Sequence, residues 1–432
     1  MVKILHLSDI HLGSGFVHGK INPETGLNTR LEDFVATLGK CLDRALSEPV
    51  DLVLFGGDAF PDATPPPYIQ QAFASQFRRL ADAGIPAVLL VGNHDQHSQG
   101  AGGASLCIYR TLGVPYVIVG DRLETHRIQT QNGDIQVITL PWLTRSTLLT
   151  RPETEGLSMS EVGHLLLDRL RAAMEGEIRK LDPTIPTVLL AHLMVDAANY
   201  GAERFLAVGK GFTIPLDFLT RDAFDYVALG HVHRHQILSE NPFVVYPGSI
   251  ERVDFSEEEE EKGYVLVEVG APLTEGVRGS TALEFCSLPA RSFCTIEVDL
   301  TDSEEPHTDL LAAIEEKSIE DAVVRVLYQV RPEQIDLIDD ADLHTVLEIA
   351  HTYTIQAELV SQMSRSRLPE LGVGTAIEPL DALRAYLANR EDLKLLADPI
   401  LEAAKALLAQ GEFYIESDSG EMEIVQTQLR LL

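Results

Sequence analysis

At 432 residues the chain is long enough for two to three domains, and its 45% hydrophobic and 23% charged residues suit a globular protein with a sizeable core. With 66 acidic residues against 34 basic ones the net charge is -32, which repels polyanions and gives this chain alone little non-specific affinity for nucleic acid. No apolar run approaches the ~18 residues that span a bilayer, and Met1 leads straight into a strand pattern without the regions of a signal peptide, so a cytoplasmic protein with no membrane association is expected.

The first half alternates strand and helix. Residues 3–7 read as a strand and 13–29 as a polar, glycine-containing stretch; 31–46 is amphipathic at helical spacing. A strand at 51–55, a proline-rich loop at 61–67, a helix at 68–83 and a buried strand at 85–91 follow. Further on come a strand at 135–140, a long helix at 160–181 and strands at 187–190 and 226–229. A series at 244–246, 263–269 and 282–288 then closes the sheet. Such alternation implies a largely parallel sheet covered by helices. The acidic run 257–261 reads as a solvated loop, with metal or partner binding as the lesser alternative.

Composition changes near Gly270. Residues 293–363 repeat strand, helix, strand, helix, strand, which suggests a small independent α/β module. A linker at 369–375 leads to two helices, 380–387 and 399–408, and the last twenty residues are weakly patterned. Cys41, Cys107, Cys286 and Cys294 lack CxxC spacing and read as reduced thiols.

The chemistry gathers where strand-like runs end. The run 88–91 stops in Gly92-Asn93-His94-Asp95, and four others end in Ser8-Asp9-Ile10-His11, Gly56-Gly57-Asp58, Ala191-His192 and Gly230-His231-Val232-His233. Polar groups just past buried strands are where open α/β folds place their sites. In extended backbone residues i and i+2 point the same way, so Asp9 with His11, and His231 with His233, each form a half-site. Asp58 has two oxygens with which to bridge two ions, Asn93 offers an amide oxygen and His192 an imidazole nitrogen. These seven donors, oxygen and nitrogen without thiolate, suit Mn, Fe or Zn. Two such ions about 3.5 to 4 Å apart stabilise both the attacking and leaving oxygens of a phosphoester.

In their order, Asp-x-His, Gly-Gly-Asp, Gly-Asn-His-Asp, a lone His and Gly-His-x-His resemble the signature of the calcineurin-like metallophosphoesterases. Leu7 to Gly13, the stretch 23–34 and Tyr246-Pro247-Gly248-Ser249-Ile250-Glu251-Arg252 resemble the SbcD family of bacterial DNA-repair exonucleases, which are Mre11-like nucleases. The resemblance implies an α/β metallophosphoesterase sandwich of two sheets flanked by helices over residues 1–275, a small α/β capping domain over 285–368 and a C-terminal helical segment over 376–432 that docks onto a partner ATPase. It implies two divalent metal ions, Mn foremost, one held by Asp9, His11, Asp58 and His233 and the other by Asp58, Asn93, His192 and His231.

The same resemblance makes His94 the catalytic residue, close to the scissile phosphate but off the metals, with Asp95 as the carboxylate that orients it. The implied activity is that of a DNA nuclease, exonucleolytic on duplex ends and endonucleolytic on single strands and hairpins. It would act as a homodimer within a heterotetramer with an SbcC/Rad50-like coiled-coil ATPase. A small-molecule phosphodiesterase or phosphatase on the same scaffold is the alternative. Some relatives carry a His three residues after the bridging Asp, where this chain has Pro61. His97 and His235 lie near the motifs and are candidates to support the ligands, and the loops 16–30 and 61–68 are candidates to guide a duplex end.

Overall fold

Side chains along the first strand alternate between two interiors, and this alternation explains the architecture. In the computed structural model, which describes residues 1–48, 50–96, 103–143, 155–201, 213–272, 278–360, 379–388, 397–410, 413–416 and 422–425, β1 (Val2–Leu7) buries Ile4 on one face and Leu5 and Leu7 on the other. β2 (Leu52–Phe55) and β3 (Ala87–Leu90) do the same. A strand covered on both faces reads as a continuous apolar run, which is why these were visible in the sequence.

The helices α1 (Thr29–Ser47) and α2 (Pro67–Asp82) cover one face of this sheet. Asn28 caps α1 by accepting from the Arg30 N–H, and Pro67 opens α2 where no N–H is needed. After α3 (Cys107–Leu112), β4 (Val117–Gly120) adds a fourth parallel strand.

The chain then builds a second sheet. β5 (Glu124–Thr130), β6 (Gly133–Leu140), α4 (Met159–Ile178), β7 (Thr187–His192) and the short paired strands β8 (Met194–Val195) and β9 (Thr213–Ile214) lead to β10 (Tyr226–Gly230), β11 (Gln236–Glu240) and β12 (Phe243–Tyr246). Six of these strands line up as β11-β12-β10-β7-β6-β5, with α4 packed on the outer face. The chain finally returns to the first sheet, where β13 (Gly263–Val269) runs antiparallel to β1 and β14 (Thr281–Ser287) forms the far edge, giving the order β14-β13-β1-β2-β3-β4.

The sandwich of two sheets flanked by helices expected from the family resemblance is present: the strands form two six-stranded sheets face to face between helices, rather than the one largely parallel sheet that strand alternation alone suggests. Periodicity identified the strands but could not assign them to sheets, because both sheets bury both faces. Ile4, Leu52, Leu54, Val88 and Leu90 of the first sheet meet Val137, Val188, Leu190, Tyr226 and Val245 of the second. His6 lies in this apolar layer, fully buried, with Nδ1 2.9 Å from the Tyr226 hydroxyl and Nε2 3.1 Å from the Leu229 carbonyl. It ties β1 to β10, and burial pushes its pKa down to about 3, so the ring is neutral.

The strand, helix, strand, helix, strand repeat expected past Gly270 is β15 (Phe293–Asp299), α5 (Pro306–Glu315), β16 (Val323–Val330), α6 (Asp340–Leu347) and β17 (Thr352–Leu359), a three-stranded sheet in the order β15-β16-β17. Residues 1–328 and 337–357 cluster as one compact unit. Arg291 makes one join within it, donating to both Asp33 carboxylate oxygens at 2.6 and 2.7 Å and to Asp321 Oδ1 at 2.7 Å.

A second unit contains α7 (Pro379–Ala388), α8 (Ala397–Gln410) and an antiparallel pair, β18 (Phe413–Glu416) and β19 (Met422–Val425). That pair lies in the terminal stretch whose weak pattern gave no element in the sequence. The linker expected at 369–375 lies outside the described residues. Among the described residues no helix is long and apolar enough to cross a membrane.

Candidate metal centre

The carboxyl ends of β1, β2 and β3 deliver Asp9, Asp58 and Asn93, and those of β7 and β10 deliver His192, His231 and His233. Pairing between β1 and β2 continues beyond the strands, with the Asp9 N–H donating to the Gly57 carbonyl and the His11 N–H to the Asp58 carbonyl, both at 3.0 Å. The Asp9 carboxylate accepts the His231 N–H at 3.0 and 3.1 Å, which fastens the ends of the two sheets together. The Ser8 hydroxyl also donates to Asp9.

The half-sites do not arise as the extended-strand argument expected. Asp9 and His11 lie past the end of β1 with φ of 52° and 46°, Asp58 has 57° and His231 106°. Left-handed backbone is unfavourable for residues with a side chain, and it persists where the surroundings enforce it, typically at functional sites. Here it turns the side chains at the strand ends into one space. Two glycines make room: a Cβ on Gly92 would lie 2.1 Å from Asp58 Oδ1, and one on Gly57 would lie 2.5 Å from His192 Nδ1.

Three overlapping sets of donors converge: His94 joins His11 and Asp58 in one, and the other two hold residues expected as ligands. In the first of those two, Asp9, His11 and His233 present ligand atoms within 4.8 Å of one another, and His11 Nε2 lies 3.0 Å from His233 Nε2. In the second, Asp58, His192 and His231 do the same, and Asn93 Oδ1 is 2.9 Å from both His192 Nε2 and His231 Nδ1. Asp58 Oδ2 reaches both sets, 3.7 Å from His11 Nε2 and 3.4 Å from His192 Nε2.

The tautomers follow from the outer hydrogen bonds. His192 Nδ1 faces the Gly56 carbonyl at 2.7 Å and must donate to it, so Nε2, facing the Asn93 oxygen, is the nitrogen left for an ion or, without one, a proton. His233 Nδ1 donates to Glu257 at 2.7 Å, which turns its Nε2 toward His11. Nitrogen and oxygen atoms held this close need a proton or a cation between them, and the donor set fits divalent ions with oxygen and nitrogen ligands.

The electrostatics agree. Burial alone would raise the Asp58 carboxyl, but the charge and hydrogen bond of His192, with His11 and His94, hold it well below the usual range. Burial alone would lower His192, yet Asp58 and then Asp9 raise it to about 9, so a proton takes the cation's place when no ion is bound. Burial lifts Asp9 to about 6 and lowers His231 to about 3 and His11 well below its ordinary value.

His94 stands beside these groups. Its N–H donates to Asp58 Oδ1 at 2.9 Å, its ring lies edge-on to His11 at 5.0 Å, and Nδ1 is 2.8 Å from the Pro61 carbonyl. Asp95 does not touch it, contrary to the role expected for that carboxylate. Asp95 accepts instead from the backbone N–H groups of Asp58 (2.9 Å), Gly92 (3.0 Å) and Ala59 (3.1 Å), so it holds the loop that carries Asp58. Its own pKa rises to about 7 through burial and the Asp58 charge. His94 is oriented by the carbonyl of Pro61, which stands where some relatives carry a His.

Other expectations fall elsewhere. His97 lies outside the described residues. His235 is in none of the sets; it faces the Tyr246 carbonyl at 2.9 Å and stacks on Phe285 at 4.2 Å. Sequence reasoning missed Trp142, whose ring lies 4.9 Å from that of His231, because a single Trp after a strand has no motif. It also missed Glu257. The run read as a solvated loop contains this buried carboxylate, which its neighbours in a row of five glutamates conceal.

A family model for calcineurin-like phosphoesterases matches residues 2–235, more than half of the chain. The chain belongs to this family of metal-dependent hydrolases. Among solved structures it is similar to TT1561 of Thermus thermophilus at 15% identity, over 66% of this chain and 98% of that one, with a TM-score of 0.35. A dimetal phosphatase from Danio rerio is similar at 12% identity, over 62% of this chain and 92% of that one, with a TM-score of 0.35. The purple acid phosphatase PPD1 from seeds of yellow lupin, Lupinus luteus, is similar at 12% identity, over 65% of this chain and 53% of that one, with a TM-score of 0.34.

Proposed function

We propose that the protein is a two-metal DNA nuclease, Mn-dependent, acting on duplex ends and on single-stranded or hairpin DNA with a coiled-coil ATPase as partner. The observation that carries the hydrolytic part is the convergence of His192 Nε2 and His231 Nδ1 on Asn93 Oδ1, each at 2.9 Å, with Asp58 Oδ2 reaching toward the opposing His11 and His233 pair. Asp9, His11, Asp58 and His233 hold one ion and Asp58, Asn93, His192 and His231 the other. Ions there supply Lewis acidity toward a phosphodiester and its attacking water. His94, kept in place by Pro61, stabilises charge on the phosphoryl group or protonates the leaving oxygen.

Support for DNA as substrate comes from the motifs 7–13, 23–34 and 246–252. In the structure the last two meet: buried Arg30 donates to Asp33 at 2.7 Å and to the Arg252 carbonyl at 2.6 Å, and lies 3.5 Å from Glu251. The net charge of -32 requires that bound ions and a basic partner offset the repulsion of DNA. The test is hydrolysis by the purified chain with Mn of labelled hairpin DNA beside bis-p-nitrophenyl phosphate. Cleavage of both supports the nuclease reading, and cleavage of the small ester alone replaces it with a small-molecule phosphodiesterase or phosphatase. Recovery of a large heptad-rich ATPase with the chain from native extract tests the partner.

A further inference from the structure

One buried ion pair behind the centre is unused by the chemistry above. Glu257 ends a short 3-10 turn, Phe255–Glu257, that Asp254 caps, and only 6% of its surface is exposed. Its Oε1 takes the Nδ1 proton of His233 at 2.7 Å, and its Oε2 lies 2.7 Å from Nζ of Lys262, a lysine 1% exposed. Lys262 also donates to Glu260 at 2.7 Å and to the Ser249 hydroxyl at 2.9 Å.

The turn is held from outside as well. Arg252 donates to the Glu257 and Glu260 carbonyls at 3.2 and 2.7 Å, and the next residue, Glu258, accepts the Thr295 N–H of β15 at 2.9 and 3.0 Å. Burying a lysine and a carboxylate is expensive unless each is fully paired. A pair needed only to close a surface loop would be as well served by apolar side chains. Here one oxygen is committed to an imidazole whose other nitrogen faces the metal centre.

We propose that Glu257, clamped by Lys262, is a positioning residue for His233: it fixes the tautomer and ring orientation and strengthens Nε2 as a metal donor. The inference rests on the two-metal reading of the centre. Carboxylates that accept the second ring proton of a ligating histidine typically contribute about 10- to 100-fold in metal affinity. Because Glu258 ties the same turn to β15, the three-stranded module braces this support.

The test is calorimetric titration of the full-length, metal-free chain with MnCl2, with melting in chelator as a control for folding. Wild type takes up two ions. Glu257→Ala weakens one of them about 10- to 100-fold and spares the other. His233→Ala weakens the same ion, and the double variant is no weaker than His233→Ala, because Glu257 acts only through His233. Should Glu257→Ala fail to fold, Glu257→Gln removes the charge at nearly constant shape and weakens the same ion about tenfold.

Wild-type affinity for both ions in a folded Glu257→Ala, or in Glu257→Gln where the alanine variant is unfolded, overturns the proposal while leaving the two-metal reading intact. Additive losses in the double variant also overturn it. A wild-type chain that binds no Mn rejects the two-metal reading itself.

Discussion

Replacing Asp95 separates two roles for a carboxylate that sits one residue from His94. In the structure its oxygens accept three buried backbone N–H groups, from Asp58, Gly92 and Ala59, at 2.9 to 3.1 Å. Each hydrogen bond to a charged acceptor contributes about 1.5–3 kcal/mol, and a buried donor left without a partner costs about 1–3 kcal/mol. The three are not additive, and relief of the repulsion between Asp95 and Asp58 offsets part of the loss, so Asp95→Ala should cost roughly 3–5 kcal/mol. Against a total of about 5–15 kcal/mol this is a large loss. Asp95→Asn keeps one acceptor oxygen and should cost about 1–2 kcal/mol. The assay is denaturant unfolding of the metal-free chain followed by fluorescence of its one tryptophan, Trp142, which lies 4.9 Å from His231 and so reports on the centre. A midpoint for Asp95→Ala equal to that of wild type, with hydrolysis nonetheless lost, would refute the reasoning and return Asp95 to the role of orienting His94.

Three further outcomes follow from the same geometry. His94→Ala should lower kcat by about 10²- to 10⁴-fold while two ions remain bound by titration; loss of an ion would make His94 a ligand. Metal affinity should rise with pH. The proton on His192, raised to about 9, must leave when the ion binds, so affinity climbs about tenfold per pH unit between 6 and 9, more steeply below 6 where Asp9 is also protonated, and levels off above 9. The sign for stability is the opposite. In the metal-free chain the raised pKa of His192 gives stability that is fully present below its ordinary value of about 6.5 and is lost as pH rises through about 9. A flat affinity profile from pH 6 to 9 would show that the His192 proton is not displaced. Gly92→Ala would place a methyl carbon 2.1 Å from Asp58 Oδ1 and should abolish binding of both ions, since that carboxylate serves both sets; unchanged stoichiometry would show that the loop yields.

Much of the centre was legible because the chemistry is concentrated at strand ends, where apolar runs of four to six residues stop in Asp9, Asp58, Asn93, His192 and His231. What the sequence hid depends on distance in the chain. Nothing in the run 257–261 distinguishes Glu257 from its neighbours until the fold brings it against His233, 24 residues earlier. His6 is one polar residue within the strand run 3–7, and its partners lie more than 200 positions away on the other sheet, so nothing local marks it. The spacing of Asp9 and His11 was informative for a reason other than the one it suggested. The two converge through left-handed backbone, which no periodicity encodes. Adjacency in sequence to His94 suggested the wrong partner for Asp95, because only the turn exposes to it the three amide groups that it accepts from.

The claim on which the rest depends is that groups from two sheets close around a pair of cations bridged by Asp58. Crystals of the chain soaked in Mn and measured at the Mn absorption edge test it directly. Two anomalous peaks should appear about 3.5 to 4 Å apart, with Asp58 between them, Asp9, His11 and His233 on one, and Asn93, His192 and His231 on the other. A single peak, or peaks away from Asp58, would contradict it.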